Sequence, residues 1–129
     1  MRALLIAGEI DIDGFLCPGH VTAIIGANAY RFISSEFNSP CVVAGFEPLD
    51  ALHGIYMLVR QFEESRHDIE IQYERVVRWD GNTKAQEALD EVFVPADALW
   101  RGIGNIPGSG LAINDRYSGF DAQKRFSIE

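Results

Sequence analysis

The chain has 129 residues, of which 47% are hydrophobic and 23% charged, and its formal net charge is −8. These values exclude a disordered chain and favour one globular domain. The acidic balance argues against a nucleic-acid partner, and the lack of a signal peptide or of an apolar run of roughly 18 to 20 residues predicts a soluble, cytoplasmic protein without a membrane span.

The first half of the chain alternates short apolar runs with helical patterns. Residues 2–7 predict a short helix. Residues 12–17 and 41–45 predict two strands, because near-continuous apolar runs are typical of parallel strands buried on both faces. Each run ends in glycine or proline, and a helical pattern follows over residues 20–25 and again from Pro48.

Two helical patterns carry apolar residues at spacings of three and four, which predicts faces that pack on a core. Asn28 is the predicted N-cap of the first of these two helices in chain order. The two faces comprise Ala29, Tyr30, Ile33 and Phe37, and then Leu52, Ile55, Tyr56, Val59 and Phe62.

The second half begins with a predicted strand over residues 69–77 and a further helix capped by Asn82 or Thr83. The predicted inner face of that helix comprises Ala85, Ala88, Leu89, Val92 and Phe93. Regular pattern is lost after Ala96, apart from a strand candidate at residues 111–113, and apolar residues in the tail predict that it packs down. We therefore predict an α/β fold: a three-layer βαβαβα unit with a mainly parallel sheet and a glycine-rich C-terminal extension.

Two polar side chains follow the predicted strands at the edge where ligands bind in open parallel sheets. His20 comes after Pro18-Gly19, and Glu47 comes after Gly45-Phe46. His20 either forms a structural hydrogen bond or acts on a ligand, and Glu47 either stabilises a helix N-terminus or faces the same crevice. In the functional interpretation both are catalytic residues.

The remaining motifs are few. Cys17 and Cys41 lie in predicted strands, and we interpret them as buried apolar thiols in a reducing compartment, with a disulfide or a metal clip as the alternatives. Metal-finger spacing, a phosphate-binding loop and a serine-nucleophile motif are all missing from the sequence, so it predicts no metal site, nucleotide site or serine hydrolase.

Six segments of the chain together resemble one known family. They are PGHVTAIIG (residues 18–26), PCVVAGFEPLD (40–50), QYERVV (72–77), GN (81–82), WRGIGNIPGSGL (100–111) and YSGFDA (117–122). In this order and spacing they resemble the HypD family, the hydrogenase formation proteins that help to build the iron centre of nickel–iron hydrogenases.

The resemblance implies two similar α/β domains with a small iron–sulfur domain, a HypC-type chaperone as partner, and a HypE-type donor of cyanide. Together these proteins assemble an iron that carries cyanide and carbon monoxide. The family's iron-handling and cluster-ligating cysteines have no counterparts here, which implies a fragment comprising most of the second α/β domain. Such a fragment is expected to hold no cofactor or metal and to be inactive alone, as part of a scaffold rather than an enzyme.

The family's Pro-Gly-His-Val and Gly-Phe-Glu-Pro motifs correspond to residues 18–21 and 45–48. The resemblance implies that His20 faces the cleft between the two large domains. Two other hypotheses remain: a free-standing α/β enzyme that uses His20 and Glu47 as an acid–base pair, and an interaction module that docks through Trp100 and Arg101. The bare edge of a narrow sheet also offers a route to a homodimer.

Overall fold

The structure, a computed structural model, describes residues 1–7 and 11–126. The chain divides into two compact units, Met1–Thr83 and Lys84–Glu129. The helices and strands of the first unit are α1 (Arg2–Ala7), β1 (Phe15–Pro18), α2 (Gly19–Ile25), α3 (Arg31–Phe37), β2 (Cys41–Ala44), α4 (Pro48–Glu63) and β3 (Ile69–Ile71). The short helix predicted at residues 2–7 is confirmed.

The three strands form a parallel sheet in the order β1-β2-β3. Phe15 lies opposite Cys41, which in turn lies opposite Ile69. The predicted α/β architecture, in which helices alternate with parallel strands, is confirmed. Strand β1 begins at Phe15, three residues later than the sequence predicts.

Strand β3 is much shorter than the predicted strand over residues 69–77. After Ile71 the amides of Gln72 and Tyr73 both donate to the carbonyl of Val43, at 2.8 and 3.2 Å. The amide of Val77 then donates to the carbonyl of Tyr73 at 3.0 Å, which closes a turn. The prediction of a strand beyond Ile71 is therefore wrong, because the amides of Gln72 and Tyr73 converge on one carbonyl of β2 and the chain then closes a turn instead of extending the ladder.

The sheet is covered on both faces, as expected for parallel strands. On one face it meets α4 at Gly54, where an added Cβ atom would lie 2.8 Å from Leu16 and 2.9 Å from Ala44. On the other face the core cluster consists of Cys17, Ala27, Tyr30, Ile33, Cys41, Val43 and Val77. The main core of the unit therefore lies between the sheet and the segment that contains α3.

The largest difference between the predicted and the observed fold concerns the apolar face of α4, which does not pack on the core. Its five residues are 50% (Ile55) to 64% (Leu52 and Phe62) exposed, whereas Asp50, Gly54 and Gln61 of the same helix are buried. Gly54 permits a close approach of the helix to the sheet, and this sets which side of α4 turns inward. The helix itself begins at Pro48 as predicted.

The segment before α3 also differs from the prediction. A 3-10 turn at Ala27–Tyr30 precedes the helix, so the N-cap is Tyr30 instead of Asn28. The side chain of Asn28 accepts a hydrogen bond from Arg31 at 2.7 Å and donates one to Asp80 at 2.8 Å. Of the predicted face, Tyr30 and Ile33 are buried, but Ala29 is exposed.

The second unit consists of a helix followed by a long hairpin. Its elements are α5 (Thr83–Val92), β4 (Phe93–Trp100), β5 (Gly104–Ile113), a 3-10 turn (Asp115–Phe120) and α6 (Ala122–Arg125). Strands β4 and β5 pair antiparallel, with a bulge between Ala96 and Ala98. The strand candidate at residues 111–113 is confirmed as the end of β5. The predicted loss of regular structure from Ala96 onward is otherwise wrong, because Pro95, Pro107 and the glycines disguise two strands that are recognised only from their pairing.

Two other expectations for this unit also fail. None of the residues of α5 that the structure describes is buried, so the predicted inner face is not a core face. Phe120 is 81% exposed and Phe126 61%, which contradicts a packed tail at these two positions; residues 127–129 lie outside the described residues. Across the described part of the chain, every helix is too short or too polar to cross a membrane.

Candidate functional site

Three strand ends meet at one edge of the parallel sheet. β1 ends at Pro18, β2 at Ala44 and β3 at Ile71, and the strands run in the same direction. The next residues of each strand therefore share the edge where ligands bind in open α/β sheets. These residues include both predicted site residues, His20 and Glu47.

The turns that follow the strands at this edge, called corners below, approach each other closely because two of their residues are glycines. A Cβ atom on Gly19 would lie 2.6 Å from Cδ1 of Tyr73 and 2.8 Å from the backbone oxygen of Ala44. A Cβ atom on Gly45 would collide with Oδ2 of Asp50. The glycines of the Pro-Gly-His and Gly-Phe-Glu-Pro motifs are thus required for packing.

A buried carboxylate connects two of the corners. Asp50, whose side chain is 7% exposed, accepts hydrogen bonds from Nη1 and Nη2 of Arg75 at 3.0 and 2.6 Å. It also accepts one from Nε2 of Gln72 at 3.0 Å, and Oε1 of Gln72 accepts from the amide of Gly45 at 3.3 Å. The chain of hydrogen bonds from Arg75 to Gly45 fixes the turn after β2 against the segment after β3.

These contacts also set the ionisation of the pair. Hydrogen bonds from Arg75 and then from Gln72 hold the pKa of Asp50 below its ordinary value of 3.8. The hydrogen bond to Asp50 raises the pKa of Arg75 in return. The guanidinium of Arg75 also lies over the ring of Tyr73, 4.3 Å from its centroid, so the cation is held by both a carboxylate and an aromatic face.

His20 lies at this edge with its side chain exposed. Its ring packs against Phe46, with 4.9 Å between the ring centroids and a tilt of 47°. Phe46 is itself 72% exposed, so the two rings form a small exposed aromatic pair between the first two corners. The pair orients the imidazole while leaving it accessible to a ligand.

Glu47 is the N-cap residue of α4, in extended conformation. Its side chain is 77% exposed, and Oε2 lies 3.6 Å from Nη2 of Arg75. An exposed ion pair of this kind contributes little to stability. The structure thus brings His20 and Glu47 to one edge, with His20 against Phe46 and Glu47 beside Arg75.

A shallow hollow of about 180 Å³ adjoins the aromatic pair. Its lining is mostly apolar and consists of Leu16, Cys17, Pro18, Ala44, Gly45, Phe46 and Ala51. The hollow offers apolar contacts to a group that approaches His20, but its lining contains few polar groups that could bind such a group.

Sequence reasoning missed the supporting residues of this site. Asp50 falls in the first turn of the helix predicted from Pro48, and Gln72 and Arg75 fall within the predicted strand over residues 69–77, so neither pattern marks them as interacting residues. A signal was present, because an acid two residues after Pro48 and a basic residue in QYERVV both lie within segments that carry the family resemblance. Their pairing spans 25 residues, which local pattern cannot predict.

Residues 1–7 and 11–126 contain no group of three or more histidine, cysteine, aspartate or glutamate side chains placed to hold a metal ion. Cys17 and Cys41 are both buried within strands, as predicted. The exposed groups at the sheet edge that could act on a ligand are therefore the imidazole of His20, the carboxylate of Glu47 and the guanidinium of Arg75.

Comparison with known proteins identifies the family. The family model described as HypD, hydrogenase formation hypA family, matches residues 1–129. The hydrogenase maturation factor HypD of Escherichia coli (strain K12) is 49% identical over 127 residues, which is 98% of this chain and 34% of the relative. HypD2 of Bradyrhizobium diazoefficiens is 48% identical, and the match covers 94% of this chain and 32% of the relative. HypD of Rhodobacter capsulatus is 42% identical, and the match covers 99% of this chain and 34% of the relative.

This chain therefore spans about a third of the length of the curated relatives that it matches. The match covers the glycine corners, the aromatic pair and the carboxylate–guanidinium pair described above. The chain belongs to the HypD family of hydrogenase formation proteins.

Proposed function

We propose that this chain provides part of a HypD-type scaffold on which the iron centre of a nickel–iron hydrogenase is assembled. In this proposal the iron, with its cyanide and carbon monoxide ligands, is the cargo of the scaffold. A HypC-type chaperone and a HypE-type cyanide donor are the partners in the full-length context. Membership of the HypD family supports the proposal, as do the names of the relatives, which are hydrogenase maturation factors.

One structural observation links the proposal to specific residues. The exposed imidazole of His20 lies on Phe46 at the ligand-binding edge of the sheet, and the adjacent turn is fixed by buried Asp50 and Arg75. An exposed imidazole can donate to or accept from a ligand, because neutral histidine has one ring nitrogen of each kind. In this role His20 contacts the cargo or the partner that carries it.

Asp50, Gln72 and Arg75 act as positioning residues in this proposal. Their hydrogen bonds hold the Gly45-Phe46 turn, and Phe46 in turn holds the ring of His20. Glu47 is exposed beside Arg75, where it either contacts a ligand or only begins α4. The two roles of Glu47 make different predictions for a charge-neutral substitution.

A chimera tests the proposal directly. The matching third of the Escherichia coli relative is replaced by this chain, and the chimera is expressed in a strain that lacks its own copy of that relative. We expect hydrogenase activity to be restored. An abundant, folded chimera that restores no activity would contradict the proposed function.

Single substitutions in the chimera then test the site. We expect His20→Ala to lower hydrogenase activity strongly, whereas the matched control His67→Ala, at another exposed histidine, leaves activity unchanged. Thermal unfolding of the isolated chain with each substitution shows whether the fold is intact. Full activity of a folded His20→Ala chimera would show that His20 is only structural.

The substitution Glu47→Gln distinguishes the proposed scaffold role from the alternative of an acid–base mechanism. If His20 and Glu47 form a catalytic pair, both substitutions abolish activity, because general acid–base catalysis typically contributes about 10²–10⁴-fold. If Glu47 only begins α4, Glu47→Gln retains most activity. The engagement of Glu47 by Arg75 favours the second outcome.

A further inference from the structure

Two cysteines on neighbouring strands lie side by side in the core. The Sγ atoms of Cys17 and Cys41 are 3.3 Å apart, and both residues are buried, with exposures of 2% and 0%. Cys41 pairs with Phe15 across the β1–β2 ladder, so Cys17 is two residues farther along its strand and on the same face. This dithiol has no part in the function proposed above.

We propose that Cys17 and Cys41 form a reversible dithiol–disulfide site that is oxidised by peroxide. The two sulfur atoms need to approach by about 1.3 Å to reach the 2.03–2.05 Å of a disulfide bond. The two residues lie diagonally across the ladder, with α carbons roughly 7–8 Å apart, so side-chain rotation must be accompanied by a small shift of the strands to reach the separation of about 4.4–6.8 Å that a disulfide requires. The proposal concerns a redox modification and is independent of hydrogenase maturation.

The surroundings of the two thiols assign their order of reaction. Cys17 is 2% exposed and lies where β1 borders the hollow beside Phe46, whereas Cys41 is 0% exposed. The hydrogen bond between the two sulfur atoms lowers the pKa of Cys17, while the same bond and burial raise the pKa of Cys41. Cys17 is therefore the thiol that a small oxidant meets first and the better nucleophile.

The reaction balances with hydrogen peroxide as the only oxidant. The Cys17 thiolate attacks one peroxide oxygen, the O–O bond breaks, and a sulfenic acid and hydroxide form; the hydroxide takes up the proton that Cys17 released and becomes water. The Cys41 sulfur then attacks the sulfur of Cys17, the S–O bond breaks, and the hydroxyl leaves as water with the proton of Cys41. Two thiols lose two electrons in total, and one peroxide is reduced to two waters.

The bond would join β1 to β2 just before the corner that carries His20. It would close a loop between residues 24 apart in sequence, which restricts the unfolded chain. We therefore expect the oxidised chain to have a Tm at least about 5 °C higher than the reduced chain.

Intact mass measurement tests the site, and the assignment is direct because the sequence has only two cysteines. The reduced chain is treated with hydrogen peroxide, the peroxide is removed, and remaining thiols are alkylated in urea. We expect a monomer that is 2 Da lighter than the reduced chain, takes up no alkyl group, and recovers both thiols after treatment with dithiothreitol. Two alkylated thiols, a disulfide-linked dimer, or oxygen added without loss of 2 Da would each overturn the proposal.

Two substitutions test the order of reaction. With dimedone present during oxidation, Cys41→Ser should trap a sulfenic acid on Cys17, whereas Cys17→Ser should give little adduct. The reverse pattern would overturn the assigned order. The mass measurement on the unsubstituted chain decides the proposal even if a serine variant fails to fold, and since it needs no hydrogenase it can fail without affecting the proposed scaffold function.

Discussion

Gly19→Ala tests whether the closeness of two corners at the sheet edge holds this site together. The new Cβ atom would lie 2.6 Å from Cδ1 of Tyr73 and 2.8 Å from the backbone oxygen of Ala44. Ordinary contact begins at 3.4 Å, so the neighbours must move by 0.8 and 0.6 Å. The tyrosine ring can rotate, but the oxygen of Ala44 belongs to the central strand of the sheet and cannot move alone.

The expected cost follows from two opposing effects. Overpacking of a well-packed site costs about 1–3 kcal/mol. Alanine gains at most about 1 kcal/mol over glycine from helix propensity, and less at Gly19 because this residue is the first of α2. With an offset of about 0.5 kcal/mol, the net cost is about 0.5–2.5 kcal/mol, which should lower Tm by roughly 2–20 °C for a unit of this size.

The assay is thermal unfolding of the isolated chain, followed by circular dichroism. Gly119→Ala is the matched control, because nothing lies within 4 Å of the added atom at that position. We expect the control to unfold within about 0.5 kcal/mol of the unsubstituted chain. Equal Tm values for Gly19→Ala and the control would refute the argument that the Pro-Gly-His corner is sterically closed.

Three further predictions concern the core, the buried carboxylate and the exposed face of α4. Ile33→Ala should cost about 2–5 kcal/mol in urea unfolding because Ile33 is fully buried, whereas Val59→Ala should change stability by less than about 0.5 kcal/mol. The pKa of Asp50 is lowered in the folded chain, so the contribution of its charged carboxylate to stability is fully present well above pH 3.8 and is lost as the pH falls below 3.8 through that pKa. In an acid titration, the difference in stability between Asp50→Asn and the unsubstituted chain should therefore shrink in that pH window. A constant difference would contradict the role of Arg75. Val59→Lys should reduce binding of a hydrophobic dye without lowering Tm, and a large fall in Tm would show that α4 packs through this side.

Local pattern predicted the parts of the fold that depend on neighbouring residues. The Gly/Pro corner after each apolar run, the start of α4 at Pro48 and the placement of His20 at a strand end all follow from short-range chemistry. Apart from residues 111–113, the hairpin of β4 and β5 is not predicted, because its strands contain Pro95 and Pro107, which normally argue against a strand. Cross-strand pairing overrides that local preference.

For the first unit, local sequence patterns predict the alternation of strands and helices, the α/β class and the two glycine corners, because each depends on backbone preferences that act within a few residues. Long-range packing selects the side of α4 that contacts the sheet, since apolar spacing favours one side and the close contact at Gly54 selects another. It also decided that Asp50 pairs with Arg75 and that Cys17 lies against Cys41. These contacts join residues 25 and 24 positions apart, so they form only when the parallel strands align.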